Sequence, residues 1–265
     1  MLARLFSSKA IIDPNTQNWI FDTFAWAIEH FDIAVFQTET RLILPSNEFY
    51  PGKVSSVDEM AQAMFVNTKQ YAGMQHWPIA LSSTQPTSST RISDLKLGQV
   101  LRGERADIGL AEDKAAIMLG YSPLQVNQPQ DLIAAISQAL ARILVLANQA
   151  LPPGGKDYLP QTIDLVACFM GFGVIFANTA YQFRGGCGGC NNANLNRQSA
   201  LTEPETLYCL ALFCVLKQQP ISAVKGHLKK HLQKDFTRAY KSIEQALVSS
   251  AQPALLACLG DKISQ

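Results

Sequence analysis

Residues 131–149 read DLIAAISQALARILVLANQ, and this stretch decides how the second half of the chain folds. Its apolar residues recur at helical spacing, and between positions 132 and 147 the polar residues are Ser137, Gln138 and Arg142. A surface helix would carry a wide polar face, so the pattern predicts a helix that is mostly buried. Gln138 and Arg142 are four residues apart, so we place both on one face and treat that face as a candidate site.

Outward from this helix, the rest of the second half also has helical periodicity. A capping box, Thr202 with Glu205, opens one of the helices. Further helices are predicted near 160–182, 203–217 and 221–248. Residues 128–265 are therefore expected to be mainly helical.

The first half mixes helices with short strands. Ser56 and Glu59 form a capping-box pattern that opens a helix through Tyr71. The other predicted elements are a helix over 15–31 and strands over 33–36, 41–44, 77–81, 115–119 and 124–126. The expected fold is a single α+β domain over 1–265, in which the mixed region 1–127 packs on the helical region 128–265. Exposed loops are expected at 82–91 and 184–200, because both are polar or rich in glycine.

The composition favours a compact protein. Of the 265 residues, 48% are apolar and 16% are charged, and the formal net charge of +1 gives no general attraction to nucleic acid or to an anionic membrane. The longest uncharged apolar run, 165–177, is shorter than the roughly 18–20 residues that span a bilayer. Residues 1–13 lack the apolar run of a secretory signal. We therefore expect a cytoplasmic protein with reduced cysteines.

Positions 138–142 read Gln-Ala-Leu-Ala-Arg and have the spacing of H-E-x-x-H, in which two histidines bind zinc and the glutamate activates water. Together with Thr162, Asp164 and the run 171–183 (GFGVIFANTAYQF), this helix resembles a bacterial family of mostly uncharacterised proteins. Its members carry an H-E-L-A-H helix followed by an E-x-T-D-L helix with a Gly-x-Gly inside. The segment 42–52 (LILPSNEFYPG) is similar as well. The resemblance implies a zincin-like helix pair.

The chain departs from that family at the positions that carry the chemistry. Gln138 and Arg142 stand where the two histidines would be, Ala139 replaces the general base, and Gln161 stands where the ligand glutamate would be. An arginine stays protonated and cannot bind a cation, and alanine cannot take a proton from water. The resemblance and these departures imply a catalytically inactive site that binds a protein or a small molecule.

Two interpretations of the candidate face stay open. One is an ion pair between Arg142 and the retained Asp164, which would fill the former metal site. The other is that Gln138 and Arg142 are ordinary polar residues at the edge of a helix.

A second motif lies in the segment FRGGCGGCNNANLNRQ, 183–198. Cys187 and Cys190 form a C-x-x-C pair that could supply two zinc ligands, and His227 and His231, four residues apart, could supply the other two. A thiol-redox pair is another interpretation, and a flexible insertion with two incidental cysteines is a third.

Three functional hypotheses follow. The first is an inactive zincin-like protein without a cofactor, the second is a module organised by a structural zinc at Cys187 and Cys190, and the third is a hydrolase that uses other residues. The basic stretch 225–241 lacks interleaved aromatic residues, so we interpret it as a solvated helix face and expect neither a nucleic-acid nor a membrane partner.

Overall fold

The computed structural model describes residues 10–52, 56–83, 90–111, 114–180, 198–248 and 253–259. Within these ranges helices dominate and strands are short, which confirms the predicted α+β class. The helices are α1 (Pro14–His30), α2 (Ile33–Thr38), α3 (Val57–Tyr71), α4 (Pro129–Ala147), α5 (Leu159–Ala167), α6 (Gly173–Asn178), α7 (Glu203–Leu216), α8 (Ile221–Lys225), α9 (Leu232–Val248) and α10 (Pro253–Leu259). The strands are β1 (Ile79–Ser82), β2 (Leu95–Leu97), β3 (Ile108–Leu110) and β4 (Ile117–Gly120).

The strands form two small sheets. β1 and β4 pair in parallel, with Ile79 opposite Ile117 and Ser82 opposite Gly120. β2 and β3 pair antiparallel, with Leu95 opposite Leu110. Parallel strands need a long crossover, and the chain between β1 and β4 contains the β2–β3 pair.

An aromatic cluster joins the two halves of the molecule. Phe36 from α2 stacks on Phe169, with ring centroids 4.8 Å apart, and meets Phe213 of α7 edge to face at 5.7 Å. Phe24 of α1 approaches Phe169 at 5.8 Å. All four side chains are fully buried, and they belong to one core cluster that includes residues from both regions. Such ring contacts stabilise a core beyond the area they bury.

The helix predicted over 160–182 is interrupted in its buried part. α5 and α6 are joined by a π-helical turn, Cys168–Phe172, in which Gly171 has φ of 100°. The carbonyl of Gly171 accepts a hydrogen bond of 2.9 Å from the Ile43 amide, and a Cβ at this position would collide with the carbonyl oxygen of Arg41. Glycine is required here because only glycine tolerates both the positive φ and the close approach.

Three strand predictions in the first half are wrong. Residues 33–36 belong to α2, because the Asp32 carboxylate accepts a hydrogen bond from the Ala34 amide and caps a helix. Residues 41–44 are not a strand. Residues 124–126 lie in the 3₁₀-helix Pro123–Asn127.

Both capping predictions are confirmed. Ser56 accepts from the Glu59 amide at the start of α3. Thr202 and Glu205 form a reciprocal capping box at the start of α7.

Two helical stretches have the length and hydropathy of a membrane span. They are Pro129–Ala147, with a mean hydropathy of 1.5, and Gly155–Asn178, with a mean hydropathy of 1.6. The fold buries 67% and 83% of their apolar windows, respectively. This degree of burial is typical of the core helices of a soluble protein.

Candidate functional site

α4 supplies the candidate residues from a largely buried helix. Pro129 occupies its first turn, and the helix packs against α3 and α5 through residues such as Leu140 and Leu144, which are fully buried. Gln138 is half-buried, whereas Arg142 is exposed. Four residues of an α-helix advance by about 400°, so Arg142 is rotated by about 40° from Gln138, and this rotation separates the two environments.

Asp164 is the centre of a polar cluster behind α4. It lies on α5, which packs against α4, and its side chain is fully buried. Gln138 Nε2 donates to Asp164 Oδ1 at 2.6 Å, and the amides of Ala200 and Leu201 donate to Oδ2 at 2.8 and 3.2 Å. Gln138 Nε2 also donates to the Gln198 carbonyl at 3.0 Å. We call Gln138, Asp164, Ala200 and Leu201 the Asp164 node.

The Asp164 node ties together three parts of the chain. Asp164 and Gln138 join α5 to α4, and residues 198–201 lead directly into α7. A buried carboxylate that accepts several hydrogen bonds is stabilised by them, because each replaces a contact with water. The node therefore fixes where the chain enters α7.

The predicted ion pair between Arg142 and Asp164 is wrong. Arg142 is exposed, and no ion pair connects the two side chains, both of which belong to the described part of the chain. The glutamine, not the arginine, donates to the carboxylate. The other interpretation, a polar residue at a helix edge, describes Arg142 but not Gln138.

The other two positions of the presumed site contribute no charge. Ala139 is half-buried and has no polar side chain. Gln161 lies on α5 one turn before Asp164, and its Oε1 is buried without a hydrogen-bond partner. Neither residue can act as a general base towards water.

The residues of the Asp164 node do not fit a zinc ion. Zinc sites in proteins use cysteine, histidine, aspartate or glutamate ligands, and of the predicted positions on α4 and α5 only Asp164 is of these types. Both of its oxygens already accept hydrogen bonds, and Gln138 directs a donor at it. Among the residues that the structure describes, no group of three potential ligands lies close enough to hold a metal ion.

Only two of the four residues of the second predicted metal site belong to the described part of the chain. Cys187 and Cys190 lie outside the described residues. His227 and His231 do not share a helix, because α8 ends at Lys225 and α9 begins at Leu232, so the predicted helix over 221–248 is broken where they lie. Both histidines are exposed, and His231 Nε2 lies 3.2 Å from a carboxylate oxygen of Glu203.

The four other cysteines are core thiols, as the apolar helix patterns around them in the sequence predict. Cys168, Cys209, Cys214 and Cys258 are all buried. Burial raises the pKa of the Cys209 thiol well above its usual value, and it raises the pKa of Cys258 to about 11. Thiols of this kind react slowly because the thiolate is scarce at neutral pH.

A second buried charge, Arg102, was missed by the sequence analysis. Its side chain is fully buried. Nε donates to the Ala72 carbonyl at 2.9 Å, Nη2 donates to Thr40 Oγ1 at 3.3 Å, and the guanidinium lies 5.2 Å from the centre of the Phe169 ring. Nη1 is buried and has no hydrogen-bond partner. Burial lowers the pKa of Arg102 to about 10, although the negative charges of Glu39 and Asp32 oppose the shift.

Arg102 borders an open pocket of about 290 Å³. We call it the Arg102 pocket. Gln75 also lines it, and the Oε1 atom of this residue is buried without a partner. The other polar residues of the wall are Thr38, Glu39, Thr40, Arg41, Gln70, Tyr71 and Glu104. The pocket thus combines one unused donor with one unused acceptor.

Little in the sequence signals this pocket. Its wall comes from residues 35–43, 70–75 and 102–104, which are far apart in the chain. Arg102 lies between Leu101 and Gly103, in a segment that has neither helical nor strand periodicity. A basic residue in such a context is usually exposed, so burial could not be inferred from it.

Comparison of the chain with protein-family models, with curated proteins and with solved structures found no match. The resemblance to a zincin-like family therefore stays a prediction. The functional argument rests on the Asp164 node and the Arg102 pocket.

Proposed function

We propose that this chain is a non-catalytic, cytoplasmic protein with a zincin-like pair of helices, and that it acts by binding a ligand or a partner. One observation carries the proposal: Gln138 Nε2 donates to Asp164 Oδ1 at 2.6 Å. In a zinc peptidase the equivalent position on the helix would hold the metal, whereas here it holds a hydrogen bond between two parts of the same chain.

The chemistry of the four positions supports this proposal. A glutamine amide is not a base, Ala139 has no group that accepts a proton, and Arg142 carries a permanent positive charge in solvent. Asp164 is the one carboxylate among them, and it is fully buried beneath its donors. A water molecule activated by this set would have no proton acceptor other than Asp164, which solvent does not reach.

The remaining open volume supports a binding role. The Asp164 node is closed by protein groups, whereas the Arg102 pocket is open and has polar atoms that lack partners. Unpaired buried polar groups cost stability, and a functional role is one reason for a protein to keep them. Ligand binding is a function that would use these groups.

Metal stoichiometry and hydrolysis test the proposal together. Zinc content of the untagged, reduced protein would be measured beside the Cys187→Ser/Cys190→Ser variant and beside Asp164→Asn, and each sample would be assayed on a mixture of unfolded polypeptides. We expect no zinc that depends on Asp164 and no hydrolysis. Zinc that survives the cysteine changes, is lost in Asp164→Asn and supports hydrolysis would overturn the proposal.

The same measurement separates the other hypotheses. One zinc per chain that disappears only in the cysteine variant would favour the zinc-module hypothesis and place the metal in the segment around Cys187. Hydrolysis that persists without metal would favour a hydrolase with other catalytic residues.

A further inference from the structure

We propose that the Arg102 pocket binds a small zwitterion of the amino-acid class, with its carboxylate on the Arg102 guanidinium and its amino group on the Glu39 carboxylate. The proposal names a ligand for the binding role proposed above. It rests on that role in one respect, namely that the ligand is bound without being chemically changed. It concerns a part of the molecule that the Asp164 node does not touch.

The guanidinium supplies the anion-binding half of the site. Two of its three nitrogens are engaged, by Ala72 and Thr40, and Nη1 is not. Among the described residues no carboxylate forms an ion pair with Arg102, although the negative charges of Glu39 and Asp32 act on it through space. A carboxylate matches the planar fork of a guanidinium, and a desolvated pair of this kind is stronger than one in water.

Glu39 supplies the cation-binding half. It is an exposed residue of the pocket wall, and its Oε2 accepts a 2.8 Å hydrogen bond from the amide of Glu104. Gly103 makes this approach possible, because its φ is 87° and a Cβ there would lie 2.6 Å from Glu39 Oε2. The local backbone therefore holds the carboxylate beside the pocket and leaves its other oxygen available to an ammonium group.

The balance of charge selects a ligand without net charge. The pocket has two guanidinium groups, Arg41 and Arg102, and two carboxylates, Glu39 and Glu104. A dianion such as phosphate would gain from the arginines but would be repelled by both carboxylates. A zwitterion meets one charge of each sign, the Arg102 guanidinium and the Glu39 carboxylate.

The size of the pocket limits the ligand. A volume of about 290 Å³ lies just below the range of small-molecule sites, which begins at about 300 Å³, so the ligand must be small. Nη1 itself does not contact solvent, so a ligand reaches it only when a side chain of the pocket wall changes rotamer. Gln75 is half-buried and its Nε2 donates to the Gly103 carbonyl at 3.2 Å, so its rotamer can change at the cost of one hydrogen bond while Glu39 stays in place.

Calorimetric titration of the full chain tests the proposal. The probes are glycine, L-alanine, L-serine and L-glutamine, with acetate as the carboxylate alone, ethylammonium as the amine alone, and inorganic phosphate. We expect at least one amino acid to bind at least tenfold more tightly than acetate, ethylammonium or phosphate. Equal binding of acetate and the amino acids, binding of phosphate alone, or no binding of any amino acid at millimolar concentration would each overturn the proposal.

Variants assign the binding to this pocket. Arg102→Met should abolish binding and Glu39→Gln should weaken it at least tenfold, whereas Arg105→Met, an exposed arginine outside the pocket wall, should leave the affinity unchanged. Circular dichroism would establish that each variant is folded, and Glu39→Gln decides the question if Arg102→Met is not. Unchanged affinity in a folded Arg102→Met or in Glu39→Gln would contradict the assignment.

Failure of this proposal is distinguishable from failure of the proposed function. Nuclear magnetic resonance of the bound amino acid, recorded over hours, would show whether it is chemically unchanged. If an amino acid binds through Arg102 but is converted to a product, the binding site is supported and the non-catalytic role is refuted. The metal and hydrolysis measurements bear on the Asp164 node alone.

Discussion

Asp164 and Arg102 are both fully buried charged side chains, yet their surroundings are opposite. Asp164 accepts from Gln138 and from two backbone amides, so each of its oxygens has a donor. Arg102 uses Nε and Nη2 but leaves Nη1 without an acceptor, beside an open pocket. A buried charge whose hydrogen bonds are complete serves the fold, whereas one with an unused donor at a pocket has capacity for a ligand.

This difference reverses the functional ranking that the sequence suggests. The helix 129–147 has the spacing of a metallopeptidase motif, but its polar residue joins a closed internal node. Arg102, which has no motif around it, borders the pocket. The following predictions test the comparison, from the largest expected effect to the smallest.

Removing the Asp164 carboxylate should have the largest effect on stability. Asp164→Ala leaves three donors without their acceptor in the interior, and losing one partner of a buried charged interaction costs about 3–5 kcal/mol. Urea denaturation would measure the free energy of unfolding. Asp157→Ala, an exposed aspartate just before α5, is the control and should change it by less than about 0.5 kcal/mol. A similar small loss in Asp164→Ala would mean that the node does not support the fold.

Gly171→Ala should have the next largest effect on stability, because Gly171 packs against Arg41 and Ile43 in the wall of the Arg102 pocket. The added Cβ would collide with the Arg41 carbonyl, and φ of 100° is itself strained for alanine, so we expect a loss of about 2–4 kcal/mol. Gly155→Ala is the matched control, since φ is 65° there but the space is open, and it should lose about 1 kcal/mol. Equal losses in thermal unfolding would show that the contact with Arg41 is unimportant.

Gln138 and Arg142 should differ although they share a helix. Gln138→Ala removes a hydrogen bond to a buried carboxylate and should cost about 1.5–3 kcal/mol in the free energy of unfolding. Arg142→Ala changes an exposed side chain and should stay within about 0.5 kcal/mol. A larger loss of stability in Arg142→Ala than in Gln138→Ala would instead support an ion pair between Arg142 and Asp164.

Arg102→Met should have a small effect on stability. The apolar side chain removes the cost of burying an unneutralised charge, but it leaves the Ala72 carbonyl and Thr40 Oγ1 without this donor. The two effects oppose each other, so we expect a change within about 1 kcal/mol. Burial lowers the Arg102 pKa to about 10 in the fold, below its ordinary value, so the unfolded chain binds more protons between the two values. Wild-type stability should therefore rise relative to the variant as the pH increases through this range. A constant difference across that range would contradict the burial of an unneutralised charge.

Local signals in the sequence predicted the parts of the fold that local interactions determine. The start of α3 at Ser56 and the box at Thr202 follow from hydrogen bonds within one turn. The burial of α4 follows from its apolar periodicity. The α+β class and the core position of the four described cysteines follow from the same kind of pattern.

Part of what the sequence did not predict depends on contacts between distant residues. The apolar run 33–36 has the composition of a strand, but Asp32 caps it as a helix and Phe36 stacks on Phe169, 133 positions later in the numbering. The helix predicted over 160–182 is interrupted at Gly171, where the backbone of Arg41 approaches closely. The sequence also cannot show that the amides of residues 200 and 201 donate to Asp164, so the hydrogen bonds of the Asp164 node could not be predicted.

A double-mutant cycle between Gln138 and Asp164 tests the central claim most directly, namely that the Gln138 face of α4 is a closed structural node. The free energy of unfolding would be measured for the wild type, Gln138→Ala, Asp164→Asn and the double variant. Residues in direct contact show coupling energies of about 0.5–3 kcal/mol. We predict a coupling of about 1–2 kcal/mol, with the double variant less destabilised than the sum of the single variants. Strictly additive losses would contradict the account, because they would mean that the two side chains do not act as one hydrogen-bonded unit.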